Sequence, residues 1–344
     1  MEATMPAVVV RETEGKGGWN ALELARVPRP VVPSGEVLVQ VEACSVNRAD
    51  LLQRRGLYPP PPGAPDIPGL DLAGYVVEGG PTQVSWQQGD RVFGVVAGGG
   101  YGRYCAVPAE HLLPIPDNLS FVEAAAAAEV FVVAHLNLFL EAGLGPGERL
   151  LLHGGGSGVG TAAIQLAKAR GAQVAVTCGE AWKIKRCRTL GADLAVCYRD
   201  EDFWDALRRW SGNRGVDVVL DWIGAPYLER HLDLLALRGR LVFIGLMGGH
   251  QAHFSLAPLL TKRLRLVGSV LRSRSREEKA KILSDFQHHV LPLLARGDVK
   301  PVVDRIFPIA EAEAAHRYLK DGKHFGKIVL CWKDDGGRHG ADLV

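Results

Sequence analysis

The most informative pattern in the chain is an apolar run, a glycine-rich turn and a helical repeat in direct succession. Residues 150–152 are leucines, residues 154–160 are rich in glycine, and apolar residues follow at helical spacing at Val159, Ala163, Leu166 and Ala167. This pattern predicts a strand, a tight turn and a helix with one face packed on a sheet. Because the N–H groups and dipole of a helix N-terminus favour an anion, the turn is predicted to bind phosphate.

The turn matches the dinucleotide-binding motif G-x-G-x-x-G with one departure. Its defining positions are Gly155, Ser157 and Gly160, so a serine replaces the middle glycine and brings a hydroxyl that can donate to a phosphate. A surface turn without a ligand is the alternative interpretation. The flanking strand and helix favour a pyrophosphate site, which Gly158 and Val159 complete.

Strand-like and helix-like segments alternate after this motif. Strands are predicted at residues 173–177, 216–221, 241–246 and 265–271, and helices at residues 181–190 and after Pro226. The inward positions of the second helix are predicted to be Leu228, Leu232, Leu235 and Ala236, with Gly239 marking its end. Such alternation builds a parallel sheet that holds a cofactor across the carboxyl ends of its strands.

The two ends of the chain have a different pattern of apolar residues from the middle. Short alternating runs at residues 36–41 and 91–96, broken by glycine and proline, predict a compact antiparallel β domain. Near the other end, Ser275 and Glu278 form a capping box that opens a helix with an apolar face at Ile282, Leu283, Phe286, Val290, Leu293 and Leu294. A helix near residues 311–320, a strand at 327–331 and a polar tail at 333–344 follow. The predicted fold is α/β: a doubly wound parallel sheet at residues 127–271, with a mostly antiparallel β-rich domain from residues 1–126 and 272–344.

Composition narrows the function. The 344 residues are 47% hydrophobic and carry a net charge of +2, which argues against a general nucleic-acid or membrane-surface role. We expect no apolar run long enough to span a bilayer, and residues 1–10 lack the order of a signal peptide, so the predicted location is cytoplasmic. The six cysteines have no C-x-x-C spacing, which predicts buried free thiols.

Four segments carry a family resemblance. Residues 45–50, 68–74, 154–160 and 326–330 resemble a medium-chain dehydrogenase/reductase, and the similarity spans nearly the whole chain. Residues 47–56, 58–63, 245–249 and 271–274 are most similar to the zeta-crystallin-like quinone oxidoreductases, in the branch of the tumour-suppressor-inducible enzyme. The resemblance implies a Rossmann domain, a GroES-like catalytic domain and a homodimer formed by edge-strand pairing through residues 265–271.

The resemblance also shows what this chain lacks. Zinc alcohol dehydrogenases of the family place a cysteine where this chain has Asn47, and a His-Glu pair where it has Leu70 and Asp71. Leucine cannot bind a metal, so no tetrahedral N/S site is predicted. His288 and His289 point in divergent directions on a helix and are predicted to be surface residues. Quinones and electron-poor enones suit such a site because they accept a hydride without metal activation.

The residues at the end of the second strand of the parallel sheet indicate which nicotinamide cofactor the protein uses. Cys178 stands where an acidic residue would bind a ribose 2′-hydroxyl, Gly179 follows, and the cation Lys183 is close. Tyr198 falls where related reductases place an aromatic residue beside the adenosine phosphate. These residues favour NADPH, whereas Glu180 argues for the opposite preference because its carboxylate would repel a phosphate.

The substrate site follows from the resemblance. It implies a pocket between the domains, with Asn47 and Tyr58 on one side and Leu246, Met247 and Leu271 near the nicotinamide. Gly245 and Lys327 complete the cofactor-binding set. Tyr58 can hydrogen-bond a quinone oxygen, or it can simply pack beside the prolines at 59–62. No His, Ser or Cys stands out as a proton donor, so protons are expected to come from water.

Two alternatives stay open. One is an NADPH-dependent enone or alkenal double-bond reductase with the same fold and a longer pocket. The other is a weakly active NADPH-binding protein with a structural or RNA-binding role, suggested by the basic residues Lys262, Arg263, Arg265, Arg272, Arg274 and Arg276. The absence of an aromatic stacking platform and the small net charge argue against nucleic acid as a partner.

Overall fold

The structure is a computed structural model that describes residues 3–79 and 86–332. The chain divides into two compact units. Unit 1 comprises Met1–Val132, Leu271–Gly297 and Pro301–Val344, and unit 2 comprises Val133–Val270 and Asp298–Lys300. The predicted polar tail at 333–344 lies outside the described residues.

The strands are β1 (Thr4–Arg11), β2 (Ala21–Pro28), β3 (Glu36–Val46), β4 (Asp71–Gly79), β5 (Arg91–Val95), β6 (Tyr104–Pro108), β7 (Leu112–Pro114), β8 (Arg149–Leu152), β9 (Gln173–Cys178), β10 (Leu194–Cys197), β11 (Val216–Asp221), β12 (Leu235–Phe243), β13 (Arg265–Gly268), β14 (Val303–Pro308) and β15 (Lys327–Cys331). The α-helices are α1 (Arg48–Gln53), α2 (Phe121–His135), α3 (Gly158–Ala169), α4 (Ala181–Thr189), α5 (Phe203–Ser211), α6 (Leu228–Leu234), α7 (Ala257–Thr261), α8 (Arg276–His289), α9 (Leu291–Arg296) and α10 (Ala312–Lys320). Short 3₁₀ turns span Ala109–His111, Ala225–Tyr227 and Ile309–Glu311, and a π-helical turn, Leu136–Glu141, continues α2.

Unit 1 is built on β-sheets. A seven-stranded sheet has the order β14-β15-β3-β4-β5-β7, with β6 paired to β3, and β1 pairs with β2 separately. All of these pairs are antiparallel except β14 with β15. Strand β3 lies inside this sheet, where it pairs with β15, β4 and β6. Its apolar residues, including Val37, Val39 and Val41, lie in the hydrophobic core of the unit. The predicted antiparallel β-rich domain is confirmed.

Unit 2 contains a parallel six-stranded sheet in the order β10-β9-β8-β11-β12-β13. The chain order reverses between β8 and β11, which is the doubly wound arrangement in which ligands bind beyond the carboxyl ends of the strands. Helix α3 buries Ala163, Leu166 and Ala167 as the helical spacing predicts, while Val159 in its first turn is half-buried. The predicted Rossmann sheet is confirmed.

Some predicted boundaries are wrong. Helix α6 ends at Leu234, and Leu235 and Ala236 begin strand β12, which also contains Gly239 and ends at Phe243. The spacing of Leu235 and Ala236 fits a helix, but a short apolar run fits a buried strand equally well. Strand β13 ends at Gly268 rather than 271, and the last long helix is divided into α8 and α9. The predicted capping box of Ser275 and Glu278 is confirmed.

The expectation that no apolar run is long enough to span a bilayer is also wrong. The segment Phe121–Glu141 has 21 residues and a mean hydropathy of 1.5, so it is long and apolar enough to cross a membrane. In the structure 78% of its most apolar window is buried inside the protein. A core helix passes the same test of length and composition, so the segment is weak support for a membrane span.

Candidate functional site

The glycine turn between β8 and α3 requires glycine at two of its motif positions. A Cβ on Gly160 would collide with the carbonyl oxygens of Gly154 and Gly155. A Cβ on Gly155 would lie 2.9 Å from the Cβ of Val176 on β9. The turn therefore packs against the sheet as closely as a backbone without side chains permits, and its main chain stays open to a ligand.

The N-terminus of α3 presents donors. Ser157 is the N-cap, and its Oγ accepts a hydrogen bond of 3.0 Å from the Gly160 N–H. The hydroxyl proton of Ser157 remains available to donate to a phosphate, as the sequence suggested. Among the described residues no acceptor meets the N–H groups of Gly158 and Val159. The turn therefore fits the pyrophosphate of a dinucleotide.

Two cysteines lie behind this turn as a pair that the sequence analysis did not predict. Cys178 ends β9, Cys187 lies on α4, and their Sγ atoms are 3.5 Å apart. A hydrogen bond from Cys187 lowers the pKa of the Cys178 thiol, and the same bond together with burial raises the pKa of Cys187. All six cysteines are free, and five of them are buried, as predicted. The pair lies nine residues apart, a spacing without a characteristic motif.

The charged residues that are predicted to lie near the adenosine of the cofactor follow strand β9. Glu180, which argued against NADPH, forms an ion pair with Arg199. The Lys183 ammonium lies 5.2 Å from the ring centre of Trp182. Tyr198 is 45% exposed, and a Cβ on Gly179 would lie 2.6 Å from its hydroxyl oxygen. The Glu180 carboxylate is thus paired with a guanidinium, Gly179 and Tyr198 are adjacent, and Lys183 lies within electrostatic range of Cys178.

The remaining predicted cofactor residues lie in both units. Gly245 packs beside Trp222, and Leu246 and Met247 are 53% and 56% exposed in unit 2. Leu271 belongs to unit 1 and is half-buried. Lys327 also belongs to unit 1, where it is buried.

Unit 1 contains a buried polar cluster around Asn47. The Asn47 amide Nδ2 donates to Asp71 Oδ2 at 2.7 Å, and its Oδ1 accepts from the Lys327 ammonium at 2.6 Å. Lys327 also donates to the Val46 carbonyl oxygen at 2.9 Å. The Asp71 carboxylate accepts from the backbone and the hydroxyl of Ser45. These four side chains therefore satisfy one another.

A second carboxylate extends the cluster. Asp50 accepts from the N–H groups of Asn47 and Gly69 at 2.7 and 3.1 Å and from the Tyr101 hydroxyl at 3.2 Å. Tyr101 in turn lies 2.9 Å from the His316 Nε2 atom. Burial raises the pKa of Asp50 to about 7.

The donor set at the zinc position does not fit a zinc ion. Leu70 offers no ligand, and the polar atoms of Asn47 and Asp71 are engaged by hydrogen bonds within the protein. Neither a thiolate nor an imidazole stands at these three positions, so the tetrahedral N/S arrangement cannot form there.

Tyr58 packs against an arginine. The Arg272 guanidinium is 5.1 Å from the Tyr58 ring centre and donates to the Tyr58 carbonyl oxygen at 3.0 Å. Burial raises the pKa of Tyr58, and the Glu129 carboxylate raises it further. The Tyr58 ring is half-buried, and its hydroxyl has no hydrogen-bond partner in the described part of the chain.

Glu129 on α2 is a candidate functional residue that the sequence reasoning missed. Burial raises the pKa of its carboxyl to about 7, Lys327 lowers it, and Asp71 and Asp50 raise it. Glu129 is therefore within electrostatic range of the Asn47 cluster. A signal existed in the sequence, since Glu129 is the one acidic residue within the apolar run of residues 124–134.

A further buried group lies in unit 2. His153, Asp221 and His231 have potential metal-ligand atoms within 4.8 Å of one another, and all three are buried. The two histidines meet through their Nε2 atoms at 2.8 Å, and Asp221 accepts from the backbone of Ile223 and Gly224. Burial lowers the pKa of both histidines and raises that of Asp221 to about 6. This arrangement is a hydrogen-bonded core network between residues that are far apart in the chain, so it could not be predicted from the sequence.

Three of the basic residues that suggested RNA binding are engaged within their own units. They are divided between the two units. Lys262 donates to three backbone carbonyls, Arg272 is buried against Gln53, and Arg276 is paired with Glu110. These three cations are therefore engaged by groups of the protein itself.

Comparisons with known proteins agree with this architecture. The zinc-binding dehydrogenase family matches residues 158–287, and the alcohol dehydrogenase GroES-like domain family matches residues 33–117. A quinone oxidoreductase from Rattus norvegicus is 30% identical over 318 residues, which covers 91% of this chain and 94% of the relative.

Solved structures are similar over almost the whole chain. An NAD-dependent alcohol dehydrogenase superposes with a TM-score of 0.83 at 32% identity, covering 96% of this chain and 100% of that one. The mycobacterial protein Rv1454c, solved in complex with NADPH, has a TM-score of 0.83 at 29% identity and covers 95% of this chain and 99% of its own. The topology of the two large sheets, the glycine turn and these relatives all support one assignment. The chain belongs to the medium-chain dehydrogenase/reductase family and is an oxidoreductase that uses a nicotinamide cofactor.

Proposed function

We propose that the protein is an NADPH-dependent, metal-independent quinone reductase. The observation that carries this proposal is the Asn47 cluster: Asn47 and Asp71, which by resemblance stand where related dehydrogenases have zinc ligands, are engaged in hydrogen bonds within the protein. Without a Lewis acid the chemistry must suit an acceptor that is already electron-poor. A quinone meets this requirement, and quinone oxidoreductases are among the relatives.

The residues that would hold NADPH follow from the turn and from the loop after β9. Ser157, Gly158, Val159 and Gly160 suit the pyrophosphate, because they present a hydroxyl and open N–H groups at a helix N-terminus. Lys183 and Tyr198 suit the 2′-phosphate. The Glu180–Arg199 ion pair supports this choice, because a neutralised carboxylate repels a phosphate less than a free one.

The nicotinamide contacts are proposed by family resemblance. They comprise Gly245, Leu246 and Met247 in unit 2 and Leu271 and Lys327 in unit 1. When bound, the reduced nicotinamide supplies a hydride, which carries two electrons and one proton.

Tyr58 and Asn47 have different proposed roles. The Tyr58 hydroxyl is free to donate a hydrogen bond to a quinone oxygen, and the arginine above its ring holds it in place. Both ends of the Asn47 amide are already used by Asp71 and Lys327. We therefore propose Tyr58 as the substrate-binding residue and Asn47 as a positioning residue that orients Lys327.

An enone or alkenal reductase is the second candidate function. It is favoured by Glu129, because a protonated carboxyl can deliver a proton to the enolate carbon that follows hydride addition. The two candidates differ in the acceptor and share the nucleotide site.

The experiment that tests the function is a steady-state screen of ortho-quinones, para-quinones, enones and alcohols with NADPH and with NADH, with product identification. Quinones should give the highest kcat/KM with NADPH. A higher kcat/KM for enones would replace the proposal with its alternative, and oxidation of alcohols as the main activity would refute both.

We further propose a homodimer and a cytoplasmic location. Strand β13 is an edge of its sheet, so one side of its backbone is unpaired within the described chain, and a two-fold partner would satisfy it. The free cysteines fit a reducing compartment.

A further inference from the structure

We propose that Glu129 is the proton donor of this reductase, delivering a proton to the substrate oxygen that becomes a hydroxyl. This inference rests on the proposed function. It replaces the expectation that bulk water supplies the proton.

The position of Glu129 in its helix is unusual. Residues 124–128 and 130–134 are buried and apolar, and Glu129 is the one ionisable side chain among them. It is also the one member of this stretch that keeps partial solvent exposure. Because Glu129 is set among buried apolar residues and still keeps partial solvent exposure, a substrate can reach it.

The charged groups that influence Glu129 are Lys327, Asp71 and Asp50, and all three already form hydrogen bonds within the protein. Lys327 donates to two oxygens, and Asp71 accepts from Ser45 and Asn47. Asp50 accepts from two backbone N–H groups and Tyr101. By contrast, no hydrogen bond or ion pair reaches the Glu129 carboxyl within residues 3–79 and 86–332. Glu129 is thus the acid in this cluster whose proton is free to leave.

The electrostatics tune Glu129 for proton transfer at neutral pH. Burial raises its pKa to about 7, with Asp71 and Asp50 acting in the same direction and Lys327 in opposition. Both the acid and its conjugate base are then populated near pH 7, which is the condition for efficient general acid catalysis. The influence of Glu129 on the pKa of Tyr58 shows that the two groups share one environment.

The step balances. A quinone gains two electrons and one proton with the hydride and becomes a hydroquinone monoanion. The Oε–H bond of Glu129 breaks, a new O–H bond forms on the anionic substrate oxygen, and the Glu129 carboxylate takes a proton from water. Tyr58 donates a hydrogen bond to the substrate without losing its proton, because its raised pKa keeps the phenol protonated.

A first test measures the carboxyl itself in the protein without cofactor. Infrared difference spectra between pH 5 and 9 should show several carboxyls that titrate near neutral pH, Asp50 and Asp221 among them, and the contribution of one carboxyl should be missing from Glu129→Gln. A Glu129→Gln spectrum equal to that of the wild type, or titration of the Glu129 carboxyl near the ordinary glutamate value, overturns the inference.

A second test uses 1,4-naphthoquinone as the substrate. Glu129→Gln should lower kcat about 100-fold or more, as expected for loss of a general acid, and should remove the break near pH 7 from the kcat profile. Glu129→Asp should restore part of the rate, whereas a counter-ion role alone would leave the pH profile unchanged. The matched control is Glu123→Gln on the same helix, whose carboxylate caps the helix through Ser120; its kinetics should equal those of the wild type.

The possible failures are distinguishable. If the wild type reduces naphthoquinone and Glu129→Gln is equally fast with the same pH profile, this inference is wrong and the proposed function stands. If the wild type reduces neither quinones nor enones, the proposed function and this inference fall together.

Discussion

The buried histidine pair of unit 2 makes stability depend on pH in a way that can be calculated. His231 is fully buried, its Nε2 atom lies 2.8 Å from that of His153, and burial lowers its pKa from 6.5 to about 3. An unfolded chain binds a proton at His231 below pH 6.5, whereas the folded protein does not. The stabilisation is therefore complete above pH 6.5 and declines as the pH falls from 6.5 toward 3.

The magnitude follows from the shift. Since one pKa unit corresponds to about 1.4 kcal/mol, the decline due to His231 is about 2 kcal/mol between pH 7 and pH 5 and at most about 5 kcal/mol below pH 3. The substitution His231→Gln removes this titration and retains a polar side chain facing His153. The variant should be about 1 kcal/mol less stable at pH 7, because a hydrogen bond is weakened. Its stability should fall about 2 kcal/mol less than that of the wild type between pH 7 and pH 5.

The assay is urea unfolding followed by tryptophan fluorescence at a series of pH values. His288→Gln is the control, because His288 lies exposed on α8 and its loss should leave the wild-type pH dependence in place. If His231→Gln and the wild type lose equal free energy of unfolding between pH 7 and pH 5, the buried neutral pair does not exist and the reasoning is refuted.

Three further predictions concern the nucleotide site and the sheet edge. Lys183→Ala should weaken NADPH binding about tenfold, or 1–2 kcal/mol, and leave NADH binding nearly unchanged; calorimetry with Lys185→Ala as control checks this, and equal losses for both nucleotides would remove Lys183 from the phosphate site. Gly160→Ala should abolish detectable binding of both nucleotides, because its Cβ collides with carbonyl oxygens of the turn; undiminished affinity would contradict the proposed site. Because the Ser269 N–H donates to β12 and alternate residues of a strand face the same neighbour, the Leu266 N–H faces the open edge. Leu266→Pro should therefore give folded monomers by sedimentation, whereas Val267→Pro should destabilise the fold itself; a monomeric wild type at micromolar concentration would end the dimer proposal.

Local patterns predicted most of the fold. The turn from β8 to α3 could be recognised because its strand, glycines and helix are contiguous, and the capping box of Ser275 is equally local. The boundary between α6 and β12 could not, because the apolar residues at Leu235 and Ala236 satisfy either periodicity. Sequence therefore locates elements better than it locates their ends.

The site was predictable in part for the same reason. The residues of the phosphate turn are neighbours in sequence, whereas Glu129 approaches Lys327 only through the fold. The ion pair of Glu180 with Arg199 likewise could not be predicted from the sequence. Polar networks of this kind depend on pairings across long separations, which no periodic pattern encodes.

The most direct test of the central claim is NADPH oxidation by protein freed of metal with a chelator, with 1,4-naphthoquinone as acceptor. We predict full quinone-dependent activity, a clear preference for NADPH over NADH, and no stoichiometric zinc by elemental analysis. Activity that appears only when zinc is restored, together with oxidation of simple alcohols, would contradict the account.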